Sequence, residues 1–178
     1  MFGSTEIFLS DKAFLSIILS SVEVYRNECH GVLLGYRTRR RIIVEYAIPF
    51  QSAERKPSEV VPNWRRELKV IEVLPKLIHL KKLGYFHSHP QWRSSKGVAK
   101  LSDSDEDYMN SGEMEVVIAI NDAKKTMSWR ESKNRLLGTI GNYSIAIAGF
   151  YKRTSDDRIM QYRLVCPYAV GFDYALEQ

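Results

Sequence analysis

Apolar residues recur at three- and four-residue spacing after Ser10, where Phe14, Ile17, Ile18, Leu19 and Val22 share one side of a helical wheel. Ser10 is a suitable N-cap, and Asp11 lies in the first turn, where an acid favours the helix dipole. The spacing predicts a first helix there. Two apolar or β-branched runs follow, Gly31–Gly35 and Arg41–Ile48, and the basic stretch Arg37–Arg40 between them predicts a strand pair around a solvated turn. Gln51–Pro62 is polar and proline-bearing, which predicts a loop. A second helix is predicted from Trp64 toward Lys82, capped by Asn63, because Leu68, Ile71, Leu74 and Ile78 keep helical spacing. Pro75 is expected to kink or divide it. Leu83–Pro90 reads as a strand, Gln91–Leu101 as a basic loop, and the acids from Asp103 to Asp107 as the first turn of a third helix. Glu115–Ile120 reads as a strand buried on both faces. Thr126–Arg130, Tyr143–Tyr151 and Arg158–Val165 are strand-like, the last alternating Met160, Tyr162 and Leu164 with polar neighbours. The sum is an α+β pattern with a mixed or antiparallel sheet. No linker, repeat or low-complexity stretch divides it, so residues 1–178 are expected to form a single domain.

With 44% hydrophobic and 26% charged residues, the composition suits a packed core and excludes collagen-like, coiled-coil and disordered chains. The stretch Ala13–Val22 is too short for a membrane span, and Glu6 and Asp11 stand where a signal peptide would be basic. The expected location is cytoplasmic. Cys29 and Cys166, without a CxxC pair, make neither a disulfide framework nor a zinc knuckle. The net charge of +5 allows acidic partners but is far from a nucleic-acid-binding tail. The apolar C-terminal residues Tyr168, Val170, Phe172, Tyr174 and Leu176 are expected to close the core.

The chemistry concentrates in Gly84-Tyr85-Phe86-His87-Ser88-His89-Pro90. Side chains at i and i+2 of a strand leave from the same face, so His87 and His89 can share one metal ion, and Pro90 ends the ladder just beyond them. Downstream, Ser102-Asp103-Ser104-Asp105 is an S-x-x-D signature at a helix start, which puts Asp105 in the first turn. Two imidazoles and a carboxylate, with a fourth position left for water, describe a catalytic zinc site rather than a structural one. The same serine and acid also make a helix cap, and the two readings are compatible. Ser104 and Asp107 give a second S-x-x-D, so Asp107 is the alternative third ligand; the first register leaves a longer helix before the strand. Glu28, ahead of the glycine-bearing strand, would ordinarily lie in solvent when taken alone. His30 and His79 stand alone and are read as structural.

Glu28 with Gly31, Leu33 and Gly35, then His87-Ser88-His89-Pro90, then Ser102 through Asp105, resembles the JAMM motif of the catalytic (MPN+) branch of the MPN domain family. The resemblance implies an α+β, cytidine-deaminase-like MPN domain, with a mixed β-sheet flanked by helices. It also implies one catalytic zinc ion held by His87, His89 and Asp105, with Glu28 as general acid and base and Ser102 helping to stabilise the oxyanion. The implied substrate is a bond after the C-terminal glycine of ubiquitin or a ubiquitin-like protein, and the MPN surface can support homo- or hetero-oligomers. Gln91–Leu101 is longer than the family's usual spacer. Carrying Trp92, Arg93, Lys96 and Lys100, it is expected to hang over the mouth of the site and to contact substrate or gate access. Two rival readings are a non-catalytic MPN scaffold, which usually lacks a ligand, and a RadC-like DNA-associated domain, which requires salt-sensitive nucleic-acid binding.

Overall fold

The computed structural model describes residues 6–51, 54–56, 59–61, 63–77 and 79–171, and for 54–56, 59–61, 75 and 77 the backbone alone. The first helix, α1 (Asp11–Glu23), begins at the expected cap: the Ser10 hydroxyl accepts from the Ala13 amide at 3.1 Å and donates to the Glu45 carbonyl at 2.7 Å. One side chain therefore starts the helix and ties it to the sheet. Phe14, Ile17 and Ile18 are buried, whereas Leu19 is 65% exposed, so the buried stripe is narrower than the apolar pattern.

Nine of the eleven strands among the described residues form one mixed sheet. A short strand that the hydrophobic pattern does not announce, β1 (Glu6–Leu9), lies parallel to β3 (Arg41–Pro49) on one side and to β11 (Ile159–Val165) on the other. β3 pairs antiparallel with β2 (His30–Arg37), and β2 with β6 (Lys81–Pro90); β6 then runs parallel to β7 (Met114–Asp122). β10 (Tyr143–Lys152) lies antiparallel to β7 along one edge. Its other edge is divided between β9 (Arg135–Ile140), over Tyr143–Ala148, and β11, over Gly149–Lys152. The strands from β11 through β1, β3, β2, β6 and β7 to β10 thus close into a barrel-like ring, and β9 with β8 (Arg130–Ser132) branches from it.

Several expectations are corrected. Gln51–Pro62 is not all loop, because β4 (Glu54–Lys56) and β5 (Glu59–Val61) pair within it as an antiparallel hairpin. The second helix, α2 (Trp64–Leu77), is not divided at Pro75, and it stops before Lys82 because Lys81 and Lys82 pair with Gly35 and Leu34 in the β2–β6 ladder. Ile78 lies outside the described residues. No ladder forms over 126–129; Met127 instead bonds the amide and hydroxyl of Thr139, and the strands are β8 and β9. Trp129 fills the core there, edge-on to Phe14 at 5.0 Å. The acidic cluster opens α3 (Asp103–Tyr108), and a last turn, α4 (Pro167–Val170), buries Ala169 while Tyr168 packs on Phe14. Phe172, Tyr174 and Leu176 lie outside the described residues. Cys29 and Cys166 are buried free thiols, and no described helix is long and apolar enough to cross a membrane.

Strand alternation decides what each face carries. Phe86, Leu33, Val116, Ile118 and Ile147 share the main core with α1. The opposite face carries two smaller clusters, one of Val32, Leu34 and Phe50 under Ile71 and Leu74 of α2, the other of Val117, Ala119, Ala148 and Phe150 under Ala99. The strand running between them is β6, whose Tyr85, His87 and His89 sit on that same face.

Candidate metal centre

His87 and His89 project from β6 in register with Val117 and Ala119 of β7, and α3 brings Asp105 against them. The Nε2 atoms of the two rings are 3.0 Å apart, and the Asp105 carboxylate lies 3.4 Å from His87 Nε2 and 3.7 Å from His89 Nε2. Of the two acids left open by the sequence, Asp105 joins this cluster and Asp107 lies exposed on α3. The placement of Asp105 follows from a capping box: its amide donates to the Ser102 hydroxyl at 3.2 Å, and its carboxylate accepts the Ser102 amide at 2.7 Å. The cap fixes the carboxylate and turns it toward β6.

The far nitrogens are equally well held. His87 Nδ1 is 2.8 Å from the buried Glu115 carboxylate, and His89 Nδ1 is 2.9 Å from the Val98 carbonyl. Both acceptors call for a proton on Nδ1, so in its neutral form each ring turns an Nε2 lone pair toward Asp105. Three electron-rich atoms converging on one point repel one another unless positive charge stands between them. The electrostatics register that demand. Burial opposes charge on His87, yet its hydrogen bonds to Asp105 and Glu115 prevail and raise its pKa. Asp105 is pulled well below the usual carboxylate range, its partial burial being outweighed by His87. His89 is lowered by burial and by the charge on His87.

The donor set fits zinc, which favours imidazole nitrogen and carboxylate oxygen. A tetrahedral ion with ligands about 2.0–2.1 Å away separates those ligands by about 3.3 Å, and the three observed separations of 3.0, 3.4 and 3.7 Å bracket that value. Carboxylate–histidine pairs of the Glu115–His87 kind are also the usual outer support of a zinc ligand. Glu115 was not among the candidate residues, and its signal in the sequence is only a lone acid opening an otherwise apolar strand.

Glu28 is only 8% exposed, against the ordinary expectation for an isolated acid. Its position follows from register. His30 pairs with His87, and Cys29 exchanges bonds with Ser88, accepting from the Ser88 amide at 3.0 Å and donating its own amide to the Ser88 hydroxyl at 2.9 Å. Glu28 is the next residue back from Cys29, just beyond the end of the β2–β6 ladder that carries His87. Ser102 is exposed at the mouth of the cluster, with its oxygen occupied as the cap of α3. His30, the cross-strand partner of His87, is buried but is not one of the three converging residues; it stacks on Tyr85 with Glu67 3.7 Å away, and His79 is exposed. Gln91–Leu101 does not hang free over the site. Gly97 lies against the His89 backbone, Ala99 is buried, and hydrogen bonds from Gln91 and Gly97 fasten the loop to the end of β7.

The sequence profile of the JAB family, JAB1/Mov34/MPN/PAD-1 ubiquitin protease, matches residues 3–114, a span containing Glu28, both histidines and Asp105. The chain belongs to this family. Among solved structures, the MPN chain is similar to the solution structure of protein DSY2949 from Desulfitobacterium hafniense, with 18% identity and a TM-score of 0.62 over 90% of this chain and 92% of that one. That likeness is one of fold. No curated protein matches the sequence.

Proposed function

We propose that this MPN protein is a JAMM-type zinc hydrolase that cleaves the isopeptide or peptide bond after the C-terminal glycine of ubiquitin or a ubiquitin-like protein. The observation that carries the reading is the convergence of His87 Nε2, His89 Nε2 and the Asp105 carboxylate, with both outer nitrogens already engaged. His87, His89 and Asp105 hold the ion, while Glu115 and the Val98 carbonyl keep the rings turned toward it. When bound, zinc supplies a Lewis acid that polarises the scissile carbonyl and brings the pKa of a coordinated water to about 7. Glu28 accepts a proton from the attacking water and returns it to the leaving amine, a task that suits a carboxylate shielded from bulk solvent. The Ser102 hydroxyl still has its own proton to donate, and a donor aimed at the developing oxyanion is typically worth about 3–4 kcal/mol.

The decisive experiment offers the purified chain a panel of ubiquitin-like fusions, with and without a zinc chelator. Chelator-sensitive cleavage after the terminal glycine supports the reading. A chain that takes up no zinc and cleaves none of the panel is a scaffold, and the proposal is then wrong. Binding to DNA that weakens steeply with salt would instead favour the RadC-like alternative. The proposed setting is the cytoplasm, with a ubiquitin-like substrate and assembly through the MPN surface as its protein contacts.

A further inference from the structure

We infer that Asn121 is a positioning residue for His89, acting through Gly97 and Val98 of the Gln91–Leu101 loop; the inference rests on the metal-centre reading above. Asn121 lies near the end of β7 and grips Gly97 at both backbone groups. Its Oδ1 accepts the Gly97 amide at 2.8 Å, and its Nδ2 donates to the Gly97 carbonyl at 3.1 Å. A carboxamide is the side chain suited to this, because it offers one acceptor and one donor side by side. Gly97 is pressed onto β6 so closely that a Cβ built there would stand 1.9 Å from the His89 carbonyl oxygen. The next residue, Val98, supplies the carbonyl that His89 Nδ1 meets at 2.9 Å. Ala99, one further along, is 2% exposed among Val117, Ala119, Ala148 and Phe150.

The Val98 carbonyl also accepts the Lys100 amide at 3.0 Å, a bond within the loop itself; what fixes the loop, and the carbonyl with it, against the sheet is the Asn121 clamp before it and the Ala99 anchor after it. Releasing the clamp frees that carbonyl to drift, and His89 loses the acceptor that holds its ring. A second fastening of the same loop provides a control. Gln91 accepts the Asp122 amide through Oε1 at 3.2 Å and donates to the Arg93 carbonyl at 3.2 Å, at the end of the loop away from Val98. If Asn121 served only to order the loop, breaking either fastening would have the same effect.

The test compares the full-length protein with Asn121→Ala, Asn121→Asp and Gln91→Ala. The readouts are zinc affinity by chelator competition, the visible spectrum of the cobalt(II)-loaded protein, and the His89 ring nitrogen shifts of the metal-free protein at fixed pH. Loss of an outer support of a metal ligand usually weakens affinity about 10- to 100-fold, and Asn121→Ala is expected near the lower end, with an altered cobalt spectrum and moved His89 shifts. Asn121→Asp, nearly isosteric, sets an oxygen against the Gly97 carbonyl and moves the same readouts, so it decides the matter if the alanine variant does not fold. Gln91→Ala leaves them unchanged. Wild-type affinity and spectrum in both Asn121 variants overturn the inference, and so does a Gln91→Ala variant that matches Asn121→Ala. A wild-type chain that takes up neither zinc nor cobalt defeats the metal-centre reading itself, and the inference with it. Unmoved His89 shifts in the Asn121 variants defeat the clamp alone.

Discussion

Replacing Glu115 by Gln isolates the electrostatic support of the metal centre. The substitution keeps the side chain's size and leaves an amide oxygen able to accept from His87 Nδ1, which sits 2.8 Å from the carboxylate. Only the negative charge is lost. With a carboxylate behind it, the ring is a better donor to a cation, and outer-shell carboxylates of this kind typically contribute about 10- to 100-fold in metal affinity, or about 1.4–2.7 kcal/mol. The site is dry enough for that charge to matter, since the His87 and Glu115 side chains are only 7% and 11% exposed. Glu115→Gln is therefore expected to weaken zinc at least tenfold, while metal-free stability falls by about 1 kcal/mol, the difference between a charged and a neutral acceptor. Glu115→Ala is expected to cost more, because it strands a buried N–H. Chelator competition measures the affinity and urea unfolding of the metal-free protein measures the stability. A Glu115→Gln protein that binds zinc as tightly as wild type refutes the argument that this carboxylate tunes the site.

The other predictions concern the base, the backbone and pH. Glu28→Gln is expected to retain one zinc per chain yet lose at least about 100-fold in turnover, the usual contribution of a general base, whereas His89→Ala loses zinc and turnover together; zinc analysis beside a cleavage assay separates the two. Gly84 has φ of +153° and leaves a Cβ only 1.8 Å from the Met114 carbonyl oxygen; Gly84→Ala is expected to destabilise by more than about 2 kcal/mol, visible as a lower denaturation midpoint. Lys82 and Glu113 meet at 2.5 Å. Despite partial burial, their contact raises the Lys82 pKa and lowers that of Glu113. A depressed carboxylate adds stability that is present above its unfolded pKa and lost as pH falls through the folded one, while the raised lysine's share is lost as pH climbs through its folded value. Glu113→Gln should therefore cost about 1 kcal/mol near pH 7 and show a shallower loss of stability on acidification; unchanged acid unfolding would contradict this.

The parts of the fold legible in the sequence were those set by local chemistry. Ser10 and Ser102 cap their helices because a hydroxyl in that position satisfies an otherwise orphaned amide, whatever surrounds it. The apolar run in β7 and the alternating histidines of β6 likewise declare their faces directly. What escaped depends on partners distant along the chain. β1 is four residues long and is stabilised by strands on both sides of it, one of them β11 near the other end of the chain. β9 hides behind Gly138, whose missing side chain makes room for Trp129. Helical spacing carried the predicted α2 too far, because Lys81 and Lys82 gain ladder partners in β2 that a wheel does not see. At the site the motif brought together the three converging residues, but Glu115, the Val98 carbonyl and Asn121 depend on the β6–β7 register and the path of the loop.

The closed ring has a consequence for synthesis on the ribosome. β11 is the staple between β1 and the far half of β10, and it lies close to the C-terminal end of the described residues. A nascent chain already contains Glu28, His87, His89 and Asp105 long before that staple emerges, yet until then β1 and part of β10 present bare strand edges, the surfaces most prone to pair with a wrong neighbour. Chains cut short before Ile159 should therefore carry every residue of the motif and still accumulate as aggregates.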